Sequence, residues 1–366
     1  MTTTDSSPIQ LPPALWVPAA ERLVSAPDRR RAAERLVANA RAHGINLKLL
    51  WGTTGTTGEN GNAPYVRQVV MGVPSPGRTG MLFLSEPRHE RRFGPSLVQV
   101  KELSDCIRAA VKALPAASTT PIRLCQALIE PNHTWADHAC REAGMIWVGQ
   151  LQFLRLPWPS TKTKESPDGP WPDGVAVRPV FDPDNFEPDG CGAALERALN
   201  GSYEDTRDCP ELCGLRSTRD VIASHKATGA FDPAQWWLLE RDGRAEGCCL
   251  LNHCPATHSV ELVYLGLSPR ARGLGLGKRL LLHALQRAPS VGVREITCAV
   301  DTRNEPALRL YRAMGFRAFT SRVGFVHASD TVLREIKPTA AAQALEESAN
   351  TGTSRGQEKV EHAKRL

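Results

Sequence analysis

Three glycines at alternate positions, Gly273, Gly275 and Gly277, stand between an apolar run and a helix-forming one. A glycine-rich turn at a helix start offers backbone N–H groups that have no intrahelical acceptor, backed by the positive end of the helix dipole. Glycine also lets the backbone come close to an anion. The chemistry in prospect is the binding of a phosphate-like group by Arg272, Gly273, Leu274, Gly275, Leu276, Gly277 and Lys278. The preceding run, Val260-Glu261-Leu262-Val263-Tyr264-Leu265-Gly266-Leu267, reads as a buried strand carrying one carboxylate. Burial disfavours the charged form of Glu261 and raises its pKa toward the range of a general base. The plain alternatives are a tight strand–helix turn and a strand-end glutamate facing solvent or a lysine. No Gly-Lys-Ser/Thr ends the loop and its spacing is not G-x-G-x-x-G, so neither nucleotide fingerprint applies.

The elements around the turn follow from spacing. From Lys278 onward, Leu280, Leu281, Ala284 and Leu285 recur on one helical face. A second helix is marked by Asn304 as N-cap, Pro306 in its first turn and Gly315 as C-cap, after the apolar run Ile296–Val300. The turn with Arg272, Gly275 and Gly277 resembles the R/Q-x-x-G-x-G/A loop of the GNAT N-acetyltransferase superfamily. The segment Asn304–Phe316 is similar to that family's N-x-x-A-x-x-L-Y-x-x-x-G-F helix. The resemblance implies acetyl-CoA as co-substrate. It also implies that Leu265, Gly266 and Leu267 contact the pantetheine through their backbone, and that Arg272–Lys278 wrap the pyrophosphate, with Asn304 nearby. Glu261 is then the candidate base and Tyr311 the candidate acid, facing the coenzyme sulfur; a core tyrosine is the bland alternative for the latter.

Composition bounds the rest. At 366 residues the chain has room for about two domains. No apolar run reaches membrane-spanning length and no signal peptide is evident at the N-terminus. Ten cysteines are spread along the chain, and the close pair Cys209 and Cys213 lacks partners at zinc spacing, so reduced thiols in a cytoplasmic protein without a metal site are expected. Residues 1–158 carry 18 Lys/Arg against 12 Asp/Glu, which accounts for the whole net charge of +6. The run Arg88-His89-Glu90-Arg91-Arg92 has no aromatic interleaving and reads as a solvated loop, not a nucleic-acid surface.

Aligning Gly144 with Gly315 pairs Arg141 with Arg312, Ala136 with Ala307 and Cys140 with Tyr311. The halves therefore read as repeats, the first without the phosphate loop. This tandem layout, silent first and active second, resembles that of the mycothiol synthase family. The expected fold is α/β, two GNAT-like domains, each a mixed, mostly antiparallel sheet flanked by helices. The expected division is a flexible N-terminus at 1–20, a degenerate domain at 21–158, a linker at 159–172, a catalytic domain at 173–337 and a disordered tail at 338–366. Within the first half, the spacing predicts one helix over Glu21–Gly44 and a strand pair over Trp147–Leu156.

The expected activity is acetyl transfer to a primary amine, on a small molecule or a protein, by direct attack on the thioester. The alternative is a non-catalytic acyl-CoA-binding or protein-interaction module. The segment Gly201–Glu211 is where the resemblance places a wall of the acceptor site. There Glu204, Asp205, Asp208 and Glu211 either attract a cationic amine or form a solvated acidic loop. Membrane and nucleic-acid partners are not expected.

Overall fold

The computed structural model describes residues 7–57, 63–86, 96–118, 120–160 and 170–329. The chain divides into two units, residues up to Val148 together with those from Val323 onward, and Gly149–Arg322. In the first unit, Leu11, Leu15 and Ala19 recur every four residues and are buried, so a helix, α1 (Trp16–Leu23), forms where a flexible N-terminus is expected. Pro27 ends the helical pattern and the Asp28 side chain caps Arg31 N at 3.0 Å, starting α2 (Arg29–Asn39). The single helix expected over Glu21–Gly44 is therefore two. Both cover one face of β2 (Leu50–Thr57) and β3 (Ala63–Ser75), beside the exposed edge strand β1 (Ile9–Gln10), while α3 (Leu97–Ala113) and α4 (Thr134–Glu142) cover the other apolar face. The sheet continues antiparallel into β4 (Thr79–Leu84), then parallel into β5 (Leu124–Ile129).

The strand pair expected at Trp147–Leu156 is one long strand, β6 (Ile146–Pro157). Its residues from Gly149 onward belong to the second unit. That unit's own sheet begins at β7 (Val175–Pro179) and runs antiparallel through β8 (Trp236–Arg241), β9 (Arg244–Cys254) and β10 (Ser259–Leu267). β11 (Glu295–Asp301) joins β10 in parallel and is flanked on its other side by residues 151–157 of β6, antiparallel. Strand β12 (Arg317–Ala328) returns the chain to the first unit, where Val323–Ala328 pair with β5. The division between units thus falls inside β6 and β12 and not in the expected linker at 159–172. Residues 161–169 of that linker, the basic run 88–92 and the expected tail at 338–366 lie outside the described residues.

The repeat is visible in the element bounds. α4 recurs 171 positions later as α8 (Glu305–Ala313), and β6 recurs at the same interval as β12. Gly144 and Gly315, which follow the paired helices, both take left-handed φ, at 79° and 92°.

Alternation in the second unit's strands puts Trp236, Leu238, Cys248 and Leu250 on the face covered by α5 (Cys191–Tyr203) and α6 (Thr218–Lys226). It puts Leu239, Cys249 and Leu251 on the face covered by α7 (Leu276–Gln286) and α8. One fully buried polar group ties α6 to this sheet. Asn252 accepts from Trp236 Nε1 at 2.7 Å and donates to the carbonyls of His225 and Thr228, both at 2.7 Å. Replacing Asn252 by leucine strands a donor and two acceptors. We expect a loss on the order of 3 kcal/mol in urea unfolding, against a few tenths for an exposed asparagine such as Asn39.

Candidate functional site

Strand β10 is paired with β9 along its length but with β11 only from Ser259 to Glu261. Beyond Glu261 it parts from β11, and the edge from Leu262 to Leu267 has no ladder partner among the described residues. A β-bulge between Leu262 and Tyr264 accompanies the parting. Leu262 and Leu265 pack toward α7 and α8, whereas Val263 and Tyr264 both pack toward α5 and α6. An unpaired strand edge can hydrogen-bond an extended, amide-bearing ligand.

Gly266 is needed here for space. A Cβ would lie 2.6 Å from Tyr264 Cε1 and 2.8 Å from Ser202 Cβ. The Tyr264 hydroxyl meets Ser202 Oγ at 2.7 Å, and Ser202 Oγ donates to Leu199 O at 2.7 Å. Tyr264 is therefore the donor of the pair and pins the end of α5 to the bulged strand.

The glycine turn follows. Gly273 and Gly275 have φ of 74° and 75°, the left-handed region that glycine adopts without strain, and space is open around both. Gly275 is the N-cap of α7 and supplies no side-chain acceptor, and the amides of Leu276, Gly277 and Lys278 have no acceptor among the described residues. Arg272 plays a different part from the one its position in the turn implies. Its guanidinium turns back, donating through Nε to Leu267 O and through Nη2 to Ser202 O, both at 2.9 Å. A cleft of about 350 Å³ is lined by Ser202, Asp205, Gly266, Leu267, Arg272 and Asn304, which brings five of the expected site residues together. Asn304 also caps α8, accepting from Ala307 N at 3.3 Å.

Glu261 is half-buried and its carboxyl makes neither hydrogen bond nor ion pair among the described residues, so the lysine-paired alternative does not hold. Burial raises its pKa above the ordinary 4.5. Tyr311 sits within the core beside Phe316, ring centroids 5.6 Å apart, and its hydroxyl has no hydrogen-bond partner among the described residues. Burial, with the fields of Cys298, Asp208, Cys249 and Tyr264, pushes the phenol well above its ordinary value, so it is protonated at neutral pH. Those neighbours belong to both flanks of the opening between β10 and β11.

The acidic segment is less available than its composition implies. Glu204 and Asp205 are exposed, and Glu204 lines a separate cavity of about 410 Å³. Glu211 is paired bidentately with Arg303, at 2.6 and 2.8 Å. Arg303 also meets the fully buried Asp301 at 2.6 Å. Burial alone raises Asp301, but the Arg303 guanidinium and the N–H groups of Arg303 and Cys209 outweigh it and hold the carboxyl below its ordinary value. Asp208 accepts from Asp301 N at 2.9 Å. Although the residue is exposed, its carboxyl turns inward, and burial raises it against that hydrogen bond. Ligand atoms of Asp208, Cys209 and Asp301 lie within 4.8 Å of one another, but the guanidinium already neutralises Asp301 where a cation would bind. This clamp escaped the sequence reading. Its one local signal is an aspartate closing an apolar strand two residues before an arginine.

The first unit differs at the corresponding helix. Ser96 and Gln99 form a capping box at the start of α3, Gln99 N to Ser96 Oγ at 3.3 Å and Ser96 N to Gln99 Oε1 at 3.0 Å. Its third helical amide, that of Gln99, is thus answered by a side chain from within.

Residues 200–316 match the acetyltransferase (GNAT) family. A mycothiol acetyltransferase of Thermomonospora curvata is 32% identical over 222 residues, 58% of this chain and 65% of that protein. One of Sanguibacter keddieii is 32% identical over 195 residues, 51% of this chain and 58% of the relative. The chain thus spans less than two thirds of these relatives. A GCN5-related N-acetyltransferase from Sphaerobacter thermophilus superposes with a TM-score of 0.53 at 19% identity, covering 89% of this chain and 97% of that one, a likeness of fold. Among the described residues no helix is long and apolar enough to cross a membrane.

Glu261 has a consequence for stability that is independent of activity. Its folded-state pKa lies above that of the unfolded chain, so the unfolded chain ionises first and stability drops as pH rises through that window. Glu261→Gln removes this penalty. Its melting temperature should exceed wild type near about pH 8 and converge with it toward about pH 4. A constant difference across pH would assign Glu261 to an exposed environment.

Proposed function

We propose, on the premise that residues 200–316 belong to the acetyltransferase (GNAT) family, that the chain is an acetyl-CoA-dependent N-acetyltransferase. Its site lies wholly within the second unit and its acceptor is a primary amine on a small molecule. The observation that carries this is the opening of β10 away from β11 directly before a helix start with unanswered amides. The residues present fit the co-substrate. Open space at Gly273 and Gly275 admits a diphosphate, the free amides of Leu276, Gly277 and Lys278 can bind its oxygens, and the exposed Lys278 adds charge. Acetyl-CoA, when bound, supplies the thioester carbonyl and the leaving thiolate.

The residues then divide the work. The unpaired edge of Leu265 and Gly266 holds the pantetheine amides, and Arg272 keeps that edge in place by binding Leu267 O and Ser202 O. Holding two reactants across a fixed opening supplies much of the rate. Glu261, directly or through one water, takes the proton from the acceptor ammonium so that a neutral amine attacks. Its unpaired, half-buried carboxyl suits a base active near neutrality. Tyr311, protonated and with a free hydroxyl, donates to the sulfur as it leaves. Glu204 and Asp205, exposed and without ion-pair partners among the described residues, attract the cationic amine. The first unit, with its helix start capped by Ser96, is a degenerate copy that binds no coenzyme. The relatives' name, mycothiol acetyltransferase, makes a small amine acceptor the class to test first.

Calorimetry with acetyl-CoA should give one site per chain, abolished by Gly275→Glu, which sets bulk and negative charge against the diphosphate. Two sites, or binding that survives the substitution, would remove the loop from the account. In a thiol-release assay Glu261→Gln should lower turnover by ~10²–10⁴-fold at neutral pH. Tyr311→Phe should slow turnover while leaving the acetyl-CoA dissociation constant near wild type. Cys140→Ser, at the matching place in the first unit, should do neither.

A further inference from the structure

Residues 204–209 bridge the two rims of the opening between β10 and β11. They leave α5 after Tyr203, one residue past the Ser202 that Tyr264 holds against β10. They end at Cys209, whose N–H donates to the Asp301 carboxylate at 3.0 Å, while Asp208 accepts from Asp301 N at the close of β11. Between these anchors Thr206 N donates to Tyr203 O at 3.2 Å, and Asp208 N donates to Thr206 Oγ1 at 3.1 Å. Asp205 and Cys209 take left-handed φ, 51° and 46°. That conformation is unfavourable for a residue with a side chain and persists where the surroundings fix it. The bridge is therefore a fixed strap.

Its cation is Arg207. The residue is exposed and makes neither hydrogen bond nor ion pair among the described residues. It lines the same cleft of about 350 Å³ as Gly266, Leu267 and Asn304. The charged side chains of that cleft are two guanidinium groups, Arg207 and Arg272, and one carboxylate, Asp205, so positive charge is in excess. The two arginines are not equivalent. Arg272 is committed to Leu267 O and Ser202 O, and turning it to a ligand would release the edge it holds. Arg207 has no such commitment and can turn to an anion without breaking a hydrogen bond among the described residues. The glycine turn adjoins this cleft. A Cβ on Gly277 would lie 3.4 Å from Leu267 Cδ1, and Leu267 is a wall of the cleft. An anion on the amides of Leu276, Gly277 and Lys278 is thus next to the space in which Arg207 stands.

We propose that Arg207 is a coenzyme-binding residue that engages the diphosphate of acetyl-CoA, so that the strap holds the coenzyme as well as walling the acceptor site. This rests on the acetyl-transfer reading above. A guanidinium meets a phosphate with two parallel N–H donors, where each backbone amide of the turn offers one. Because the strap's backbone is already fixed, the contact falls on the Arg207 side chain alone. Asp205, two residues earlier, remains for the amine.

The test uses the full chain and three probes, measured by calorimetry or as competitors of thiol release. They are coenzyme A, dephospho-coenzyme A, which keeps the diphosphate and lacks the 3′-phosphate, and pantetheine, which lacks both. Arg207→Gln should raise the dissociation constants of coenzyme A and dephospho-coenzyme A alike, by roughly tenfold, the scale of one charge-assisted hydrogen bond. Pantetheine should bind it as it binds wild type. Arg207→Lys, which keeps the charge and loses the fork, should fall between. The salt dependence of coenzyme A binding should be shallower in Arg207→Gln, a change that lost packing would not produce. Arg244→Gln, which removes an exposed arginine of the separate cavity lined by Glu204, should match wild type. A loss confined to coenzyme A would put Arg207 on the 3′-phosphate, and an equal loss for pantetheine would make it structural. Unchanged affinity, or an equal loss in Arg244→Gln, would leave it no local role. Each of these results overturns the proposal. Absence of coenzyme binding by wild type defeats the acetyltransferase reading itself, whereas wild-type binding that Arg207→Gln leaves untouched defeats only the role of Arg207.

Discussion

The second unit depends on an interruption of backbone pairing. β10 and β11 keep three residue pairs, Ser259 to Glu261, and then separate. Each unmade ladder bond is a loss unless something answers the exposed groups. The separation is braced on both sides. The bulge and the Tyr264–Ser202 bond fix β10 against α5, and Arg272 ties Leu267 O to Ser202 O. On the β11 side, the Asp301–Arg303–Glu211 clamp and the Asp208 bond hold the strand's end to the segment after α5. The opening is thus a built feature with polar supports at both rims.

The two units show what that interruption requires. Their matching helices start in opposite ways, α3 under a Ser96 capping box and α7 from a left-handed glycine with no side-chain cap. A capped start stabilises its own helix and has no use for an external anion. An uncapped start leaves partial positive charge that a bound diphosphate can meet. The same repeat, preserved to the residue across α4 and α8 and across β6 and β12, therefore carries a ligand-ready turn in one copy only.

Much of this was legible in sequence, for local reasons. The glycine turn, the Asn304 cap and the alternation along β9 and β10 each declare themselves within a dozen residues, and the mixed sheet flanked by helices follows from their order. The repeat offset was legible because Gly144 and Gly315 end equivalent helices. The misses are non-local or concern whole patterns. That β6 and β12 each pass from one unit to the other depends on pairings with strands far away in sequence, which no local composition records. Glu211 reads as a free acid until Arg303, 92 positions on, is seen to hold it. Pro12 and Pro13 suggested a flexible start, yet Leu11, Leu15 and Ala19 had the helical period that buried them.

The central claim is that the unpaired edge of β10 and the uncapped start of α7 together receive the coenzyme. Amide hydrogen exchange with and without saturating coenzyme A reads both directly. The account predicts new protection confined to residues 262–267 and 273–278, with the start of α3 at residues 97–100 unchanged. Protection at the start of α3, or none along β10 and the glycine turn, would contradict it.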